Sequence, residues 1–308
     1  MGLGMDGIIN VHKEKGYTSH DVVAKLRGIL HQKKIGHTGT LDPDATGVLP
    51  VCLGRATKVC ELLTDKQKTY VARVRLGAVT DTQDMTGTVL EEHPVDVTKE
   101  EIHRVVSAFS GEIWQTPPMY SAVKVNGRRL YELARQGVDV ERKKRKITVY
   151  SIEMTEFFPE TSEFVMEVTC SKGTYIRTLC HDIGRRLGCG AAMAGLVRTG
   201  VGPFVLEDSF TLGVIEERVK AGGLEQIVMP VDRLFKSYPE VVVSDSGIRF
   251  LQNGNTVKCG LCVNPPRVDT GQKVRMYDGS HNFYAIYQYD DEARVFTNVK
   301  MFYSTAGQ

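Results

Sequence analysis

Gly36-His37-Thr38-Gly39-Thr40-Leu41-Asp42-Pro43-Asp44-Ala45-Thr46-Gly47 sets three glycines and a proline among twelve residues. That composition predicts neither helix nor regular strand, because glycine reaches positive φ cheaply and proline fixes φ while lacking a donor. The stretch reads as a loop. Asp42 stands between Leu41 and Pro43, and the following proline steers it toward extended backbone. A tight turn of this kind can present one carboxylate outward. The plainer alternative is an Asx-turn, in which Asp42 only bonds its own backbone.

Working outward, Ile8, Ile9 and Val11 suggest a first strand. Thr18 followed by Asp21 is a capping-box pattern for a helix carrying Val22, Val23, Leu26, Ile29 and Leu30 at helical spacing. Ser19-His20-Asp21 is no hydrolase triad, since consecutive side chains at a helix start diverge and a triad must converge. Downstream, residues 48–53 read as a buried strand and 57–63 as a short helix. Residues 68–76 alternate, with Tyr70, Ala72, Val74 and Leu76 on one face and Arg73 and Arg75 on the other. Thr98 and Glu101 form a second capping box, before Ile102, Val105, Val106 and Phe109, with Gly111 as the stop. Residues 120–125 with Asn126-Gly127 predict a strand and a tight turn, and then a helix over about 128–136 closed by Gly137. Phe164, Met166, Val168 and Cys170 alternate as a strand. Ile176, Leu179, Ile183 and Leu187 mark a helix ending at Gly188. Many strand-to-strand intervals lack a crossover helix, so the expected class is α+β: a mixed, largely antiparallel sheet with packed helices.

The chain has 308 residues and an ordinary globular composition, 42% hydrophobic and 25% charged, which suggests about two domains. No apolar run approaches bilayer-spanning length, and residues 1–11 lack the pattern of a signal peptide, so a cytoplasmic location and no membrane partner are expected. Seven cysteines in that setting predict reduced thiols. Cys259 and Cys262 form one CxxC without the two further ligands that zinc requires, so no metal is expected. The net charge of +2 conceals an asymmetry: residues 121–146 carry nine basic and three acidic side chains, +6, leaving −4 elsewhere. A basic segment on an otherwise acidic chain fits a polyanionic partner.

The motif Gly36-His-Thr-Gly-Thr-Leu-Asp42-Pro-x-Ala-Thr-Gly47, with Val48-Leu-Pro-Val-Cys-Leu-Gly54 after it, resembles the catalytic motif of the tRNA pseudouridine synthase B (TruB) family. The likeness continues through Lys66 to Thr82, Pro117 to Gly127, Cys170 to Cys189 and Leu196 to Phe204. It implies the pseudouridine synthase fold and isomerisation of uridine 55 in the T-loop of tRNA. Such a reaction breaks the bond from ribose C1' to uracil N1, turns the base and joins C1' to C5. With no net redox or hydrolysis, it calls for no cofactor. It does call for a carboxylate near C1' or C6, as glycosidases show for a related positive charge on the sugar. By resemblance Asp42 is that carboxylate, and whether it attacks C1', attacks C6 or takes a sugar proton stays open. The uridine must be flipped out and stacked, a role that falls by resemblance to Tyr70 in Lys68-Thr69-Tyr70. Gly173-Thr174-Tyr175-Ile176-Arg177-Thr178 matches the motif whose arginine, here Arg177, pairs with the aspartate. Tyr175 and Leu196 would then line the uracil pocket. His37 matches a histidine placed against the nucleotide or the RNA backbone. One departure stands out: the family's Lys-Pro is here Lys13-Glu14, which bears on the local turn and not on the catalytic assignment.

Residues 120–146 resemble the RNA-gripping insertion of these enzymes, with Lys143, Lys144 and Arg145 as phosphate contacts. From Tyr238 onward, short apolar runs at 241–243, 256–257, 274–277, 284–287 and 295–299 predict a small all-β module, resembling in position the family's PUA domain. The expected organisation is a catalytic domain over residues 1–236 and an RNA-binding domain over 237–308, in a monomer. Two rivals follow from the same residues: a non-catalytic RNA-remodelling protein, and a base-excising glycosylase.

Overall fold

The structure, a computed structural model, describes residues 4–125, 127–263 and 265–303. Strand β1 (Gly7–Lys13) leads into helix α1 (Ser19–Leu30), whose capping box closes as expected: Asp21 N donates to Thr18 Oγ1 and Thr18 N to Asp21 Oδ2. Strands β2 (Ile35–His37) and β3 (Thr46–Leu53) pair antiparallel, from Ile35 opposite Leu53 to His37 opposite Val51. The expected loop is therefore the tip of a hairpin, and its outer glycines lie in strands. The reason is close approach, not turning. A Cβ on Gly47 (φ +106) would stand 2.2 Å from the Arg198 carbonyl oxygen, and one on Gly36 would stand 3.2 Å from Cys60 Sγ.

A 3₁₀ turn and α2 (Cys60–Thr64) connect to β4 (Lys68–Leu76), which buries the expected face. The small ribbon of β5 (Ala78–Thr80) and β6 (Val89–Glu92) precedes α3 (Lys99–Ser107), where Glu101 closes the second capping box. Helix α3 ends before Phe109, and Gly111 instead opens β7 (Gly111–Gln115) with φ +98.

Residues 120–146 depart from expectation. Of the strand expected over 120–125 only β8 (Lys124–Val125) forms, paired with β9 (Arg128–Arg129) where helix was expected; helix α4 is the single turn Leu130–Ala134. Asn126 of the expected turn lies outside the described residues. Arg145 and Lys146 are not insertion at all, since they begin β10 (Arg145–Phe158) and pair with Gln115 and Trp114 of β7. Strand β10 leaves no clean alternation in the sequence: its buried positions switch from Ile147 and Val149 to Ile152 and Met154 across a register shift.

Strand β11 (Glu163–Cys170) and helix α5 (Ile176–Leu187, ended by Gly188 at φ +82) match their patterns. Strand β12 (Ala191–Val201) carries two register shifts against β4 that likewise hide its period. Then come β13 (Phe204–Val205), α6 (Leu212–Lys220) and β14 (Val228–Met229). One ten-stranded sheet results, in the order β14-β1-β3-β12-β4-β11-β10-β7, with β2 on β3 and β13 on β12. The β12–β3 pair is its parallel contact.

The remaining strands are β15 (Glu240–Val243), β16 (Val257–Lys258), β17 (Cys262–Val263), β18 (Lys273–Tyr277), β19 (Phe283–Asp290) and β20 (Val295–Met301), with α7 (Ile248–Gln252) between β15 and β16. They form a nearly closed six-stranded barrel. The sequence pattern missed β17, which begins at the second cysteine of the CxxC. The molecule is thus α+β, a mixed, largely antiparallel sheet with packed helices and a small C-terminal all-β barrel. Ile286 and Phe302 of the barrel enter one apolar cluster with Ile8, Val48, Phe204, Val231 and Phe235, so the two sheets share a core. All seven cysteines are free. No helix among the described residues is long and apolar enough to cross a membrane.

Candidate active site

The tip between β2 and β3 is held from several sides. Leu41 and Ala45 are buried in the main apolar cluster on either side of Asp42, and Leu41 N donates to Ser19 Oγ at 2.9 Å. Ala45 N donates to the Asp42 carbonyl at 3.1 Å, a turn with Pro43 at its second position. The Pro43 carbonyl accepts from Gly16 N at 2.9 Å and from Lys13 Nζ at 3.0 Å. Burial pushes the Lys13 ammonium down to about 8, with Asp42 and Asp44 opposing. Anchored so, the turn leaves the Asp42 side chain 41% exposed.

Its carboxylate does not close an Asx-turn. Arg177 takes both oxygens, with Nε 3.0 Å from Oδ2 and Nη2 3.3 Å from Oδ1. The guanidinium is itself buried and fixed: Nη1 donates to the Thr82 carbonyl at 3.1 Å, Nη2 to the Tyr120 carbonyl at 2.9 Å, and Asp84 Oδ2 stands 3.7 Å from Nε. A planar fork restrained in this way fixes the direction of a carboxylate as well as its distance. The start of α5 is set by Gln115, whose amide accepts from Tyr175 N at 3.0 Å and donates to Tyr175 O at 3.2 Å.

Asp42, Tyr70, Tyr175, Arg177 and Leu196 line one cleft of about 290 Å³, together with Gly39, Lys68, Ser121, Lys172 and Arg198. Five side chains that the sequence placed in the site therefore converge. Burial pushes the phenols of Tyr70 and Tyr175 up, and nearby guanidiniums oppose it. His37 is not part of the cleft lining. Its ring meets His20 edge-on at 5.2 Å between centroids, its Nδ1 accepts from Gly39 N at 3.3 Å, and burial lowers its pKa. Lys143, Lys144 and Arg145 also lie apart from the lining; all three are exposed, and Lys143 and Arg145 border a separate groove beside β8. A wider, open groove of about 970 Å³ runs between α1 and α6, where Asp21 caps α1 and Glu216 pairs with Lys220.

Sequence reasoning passed over Lys68, Asp84 and Arg198. Lys68 and Arg198 stood within quoted motifs, two positions from Tyr70 and from Leu196. Asp84 had only an acid-rich turn to announce it. Among the described residues no cluster of three or more His, Cys, Asp or Glu side chains has metal-binding spacing, Cys259 and Cys262 included.

Residues 27–176 match the family described as TruB family pseudouridylate synthase (N terminal domain), and residues 177–236 match tRNA pseudouridylate synthase B C-terminal domain. The chain is 54% identical over 312 residues to tRNA pseudouridine synthase B of Lachnoclostridium phytofermentans, covering 97% of this chain and 100% of the relative. It is 43% identical over 291 residues to the Bacillus subtilis protein of that name, covering 92% and 93%. Among solved structures, a chain from a Cbf5-Nop10-Gar1 complex aligns with TM-score 0.70 at 30% identity, covering 97% of this chain and 85% of that one. The chain belongs to the TruB family of pseudouridylate synthases and is an isomerase.

Proposed function

We infer that this protein converts uridine to pseudouridine in tRNA, at position 55 of the T-loop, with Asp42 as the catalytic carboxylate. The observation that carries this reading is the two-point contact of Arg177 on Asp42 at a cleft lined by Tyr70, Tyr175 and Leu196. The relatives named tRNA pseudouridine synthase B support tRNA as the substrate.

A cleft of about 290 Å³ admits one extruded nucleoside and little else. Tyr70 and Leu196 supply apolar faces for the uracil, and Tyr175 lines the same pocket. As the C1'–N1 bond breaks, positive charge grows on the ribose, and a fixed carboxylate beside it stabilises that state. Arg177 touches Asp42 and aims it. When C1' joins C5, the C5 hydrogen leaves as a proton while N1 gains one, so no external redox partner or net proton is consumed. His37, beside the tip, serves to position RNA. Lys143, Lys144 and Arg145 hold phosphates. In this reading residues 1–236 carry the chemistry, and the barrel from residue 237 onward adds RNA contact.

Release of tritium from C5-labelled uridine in unmodified tRNA is the test, with the modified position mapped afterwards. Release accompanied by pseudouridine at position 55 supports the reading. Free uracil would make the protein a glycosylase, and tight binding without tritium release would make it an RNA-remodelling protein.

A further inference from the structure

Arg198 is fully buried, yet none of the ion pairs among the described residues includes it. Its bonds go instead to the tip and to the strand that follows it: Nε donates to the Val48 carbonyl of β3 at 2.7 Å and Nη1 to the Thr40 carbonyl of the tip at 3.5 Å. Those carbonyls lie on either side of Asp42. In register, Arg198 is the Cα partner of Gly47 on β3 and of Tyr70 on β4, so it occupies the point where the strand bearing the tip, the strand bearing the stacking tyrosine and the strand bearing Leu196 meet. A register shift between Arg198 and Gly200 marks a bulge there, a device that re-aims a side chain. Nη2 is buried and finds no hydrogen-bond partner among the described residues. A hydrophobic side chain could fill this place without an unpartnered donor, so packing alone gives no reason for arginine.

We propose that Arg198 is a positioning residue: by bonding the Asp42 tip at Thr40 and its supporting strand at Val48, beside Tyr70, it sets the distance between the carboxylate and the stacking ring. The proposal rests on the functional reading above. Asp42 and Tyr70 come from different strands, and an extruded uridine must present C1' to one while its base lies on the other. A displacement near 1 Å in such an arrangement can cost ~10²-fold in rate. Arg177 holds the carboxylate itself, so loss of Arg198 moves the tip without releasing the Asp42 charge.

The test measures single-turnover tritium release at saturating tRNA, and tRNA affinity by filter binding, for wild type, Arg198→Met and Arg198→Lys. Arg198→Met is expected to lower the rate about 10- to 100-fold with affinity within about threefold. Arg198→Lys, which keeps one donor to the Val48 carbonyl, should recover part of that loss. A wild-type rate in Arg198→Met overturns the proposal. So do equal losses of rate and affinity, or a lysine variant no better than methionine. Should Arg198→Met fail to fold, Arg198→Lys decides alone: an intermediate rate at unchanged affinity supports the role, and a wild-type rate or a loss confined to affinity refutes it. Absence of pseudouridine from wild-type protein would overturn the functional reading instead, and is scored separately.

Discussion

The cleft and the basic segment are both rich in cations, yet they treat charge in opposite ways. At and beside the cleft, Lys13, Lys68, Arg177 and Arg198 are buried and bond protein groups, the Pro43, Thr64, Thr82 and Val48 carbonyls among them, with Arg198 Nη2 left without a partner among the described residues. In the basic segment Lys143, Lys144 and Arg145 are exposed. Neighbouring Arg142 has a 3.8 Å contact with Asp139, and Lys146 one of 2.8 Å with Glu112. A buried cation acts through geometry and is screened little, whereas an exposed one acts through number and is screened strongly. Two rules for one charge type should show as two kinds of response.

The largest response belongs to the cleft. Asp42→Asn keeps the shape and removes the charge that Arg177 aims, so turnover should fall roughly 10³-fold or more while tRNA affinity stays near wild type. Activity within tenfold of wild type in the tritium assay would remove Asp42 from the mechanism. Tyr70→Leu comes next. Stacking is worth about 1 to 3 kcal/mol per base, so turnover should fall on the order of 10- to 100-fold. Affinity should fall less, since one base is a small part of a large RNA contact; equal losses in both would break the distinction between the two regions.

That distinction also explains how far the sequence could be read. Pattern placed Tyr70 on a strand, because β4 alternates without interruption, and Asp42 in a turn, because of its proline and glycines, while their site roles came from resemblance to the family's motifs. The strands beside them were not legible. In β10 the buried set shifts phase between Val149 and Ile152, and β12 is shifted near Gly195 and again near Gly200, so a period-two search fails although both strands are long. Arg198 was hidden for that reason, since its orientation follows from a bulge that no local pattern records. The insertion was misjudged in the other direction. Five adjacent cations suggested one loop segment, but Arg145 and Lys146, though exposed, already belong to β10 and pair with the edge strand β7. The fold class survived these errors because intervals between strands, not individual strands, decided it.

For the basic segment the decisive variable is salt. Freeing one phosphate from its cation lowers the magnitude of the slope of log affinity against log salt by about 0.7 to 0.9, so replacing Lys143, Lys144 and Arg145 with alanine should flatten it by roughly 2 if all three engage. Discrimination between tRNA and an unrelated stem-loop should change much less, because phosphate contacts position without carrying sequence. The single-turnover rate at saturating RNA should hold. An unchanged slope would make the segment solvated surface and place the electrostatic grip elsewhere.

The smallest effect concerns a buried cation and is read by pH. Lys68 Nζ donates to the Thr64 carbonyl at 2.8 Å and the Lys66 carbonyl at 2.9 Å, and burial, with Arg198 adding to it, brings its pKa from 10.5 to about 8. A lysine depressed in the folded state works against folding while both states hold the proton, which is the case below about 8. Between about 8 and 10.5 the unfolded chain binds a proton that the folded chain does not, so this group makes stability rise with pH across that window. The rise is at most about 1.4 kcal/mol per pH unit for one group. Lys68→Met removes it. Urea unfolding at matched ionic strength should therefore show wild type gaining on the variant between neutral pH and pH about 9.5, with the gap changing little when salt is raised. If the two proteins keep a constant stability difference over that range, Lys68 is already solvated in the folded state, and the contrast between buried and exposed cations fails at this position.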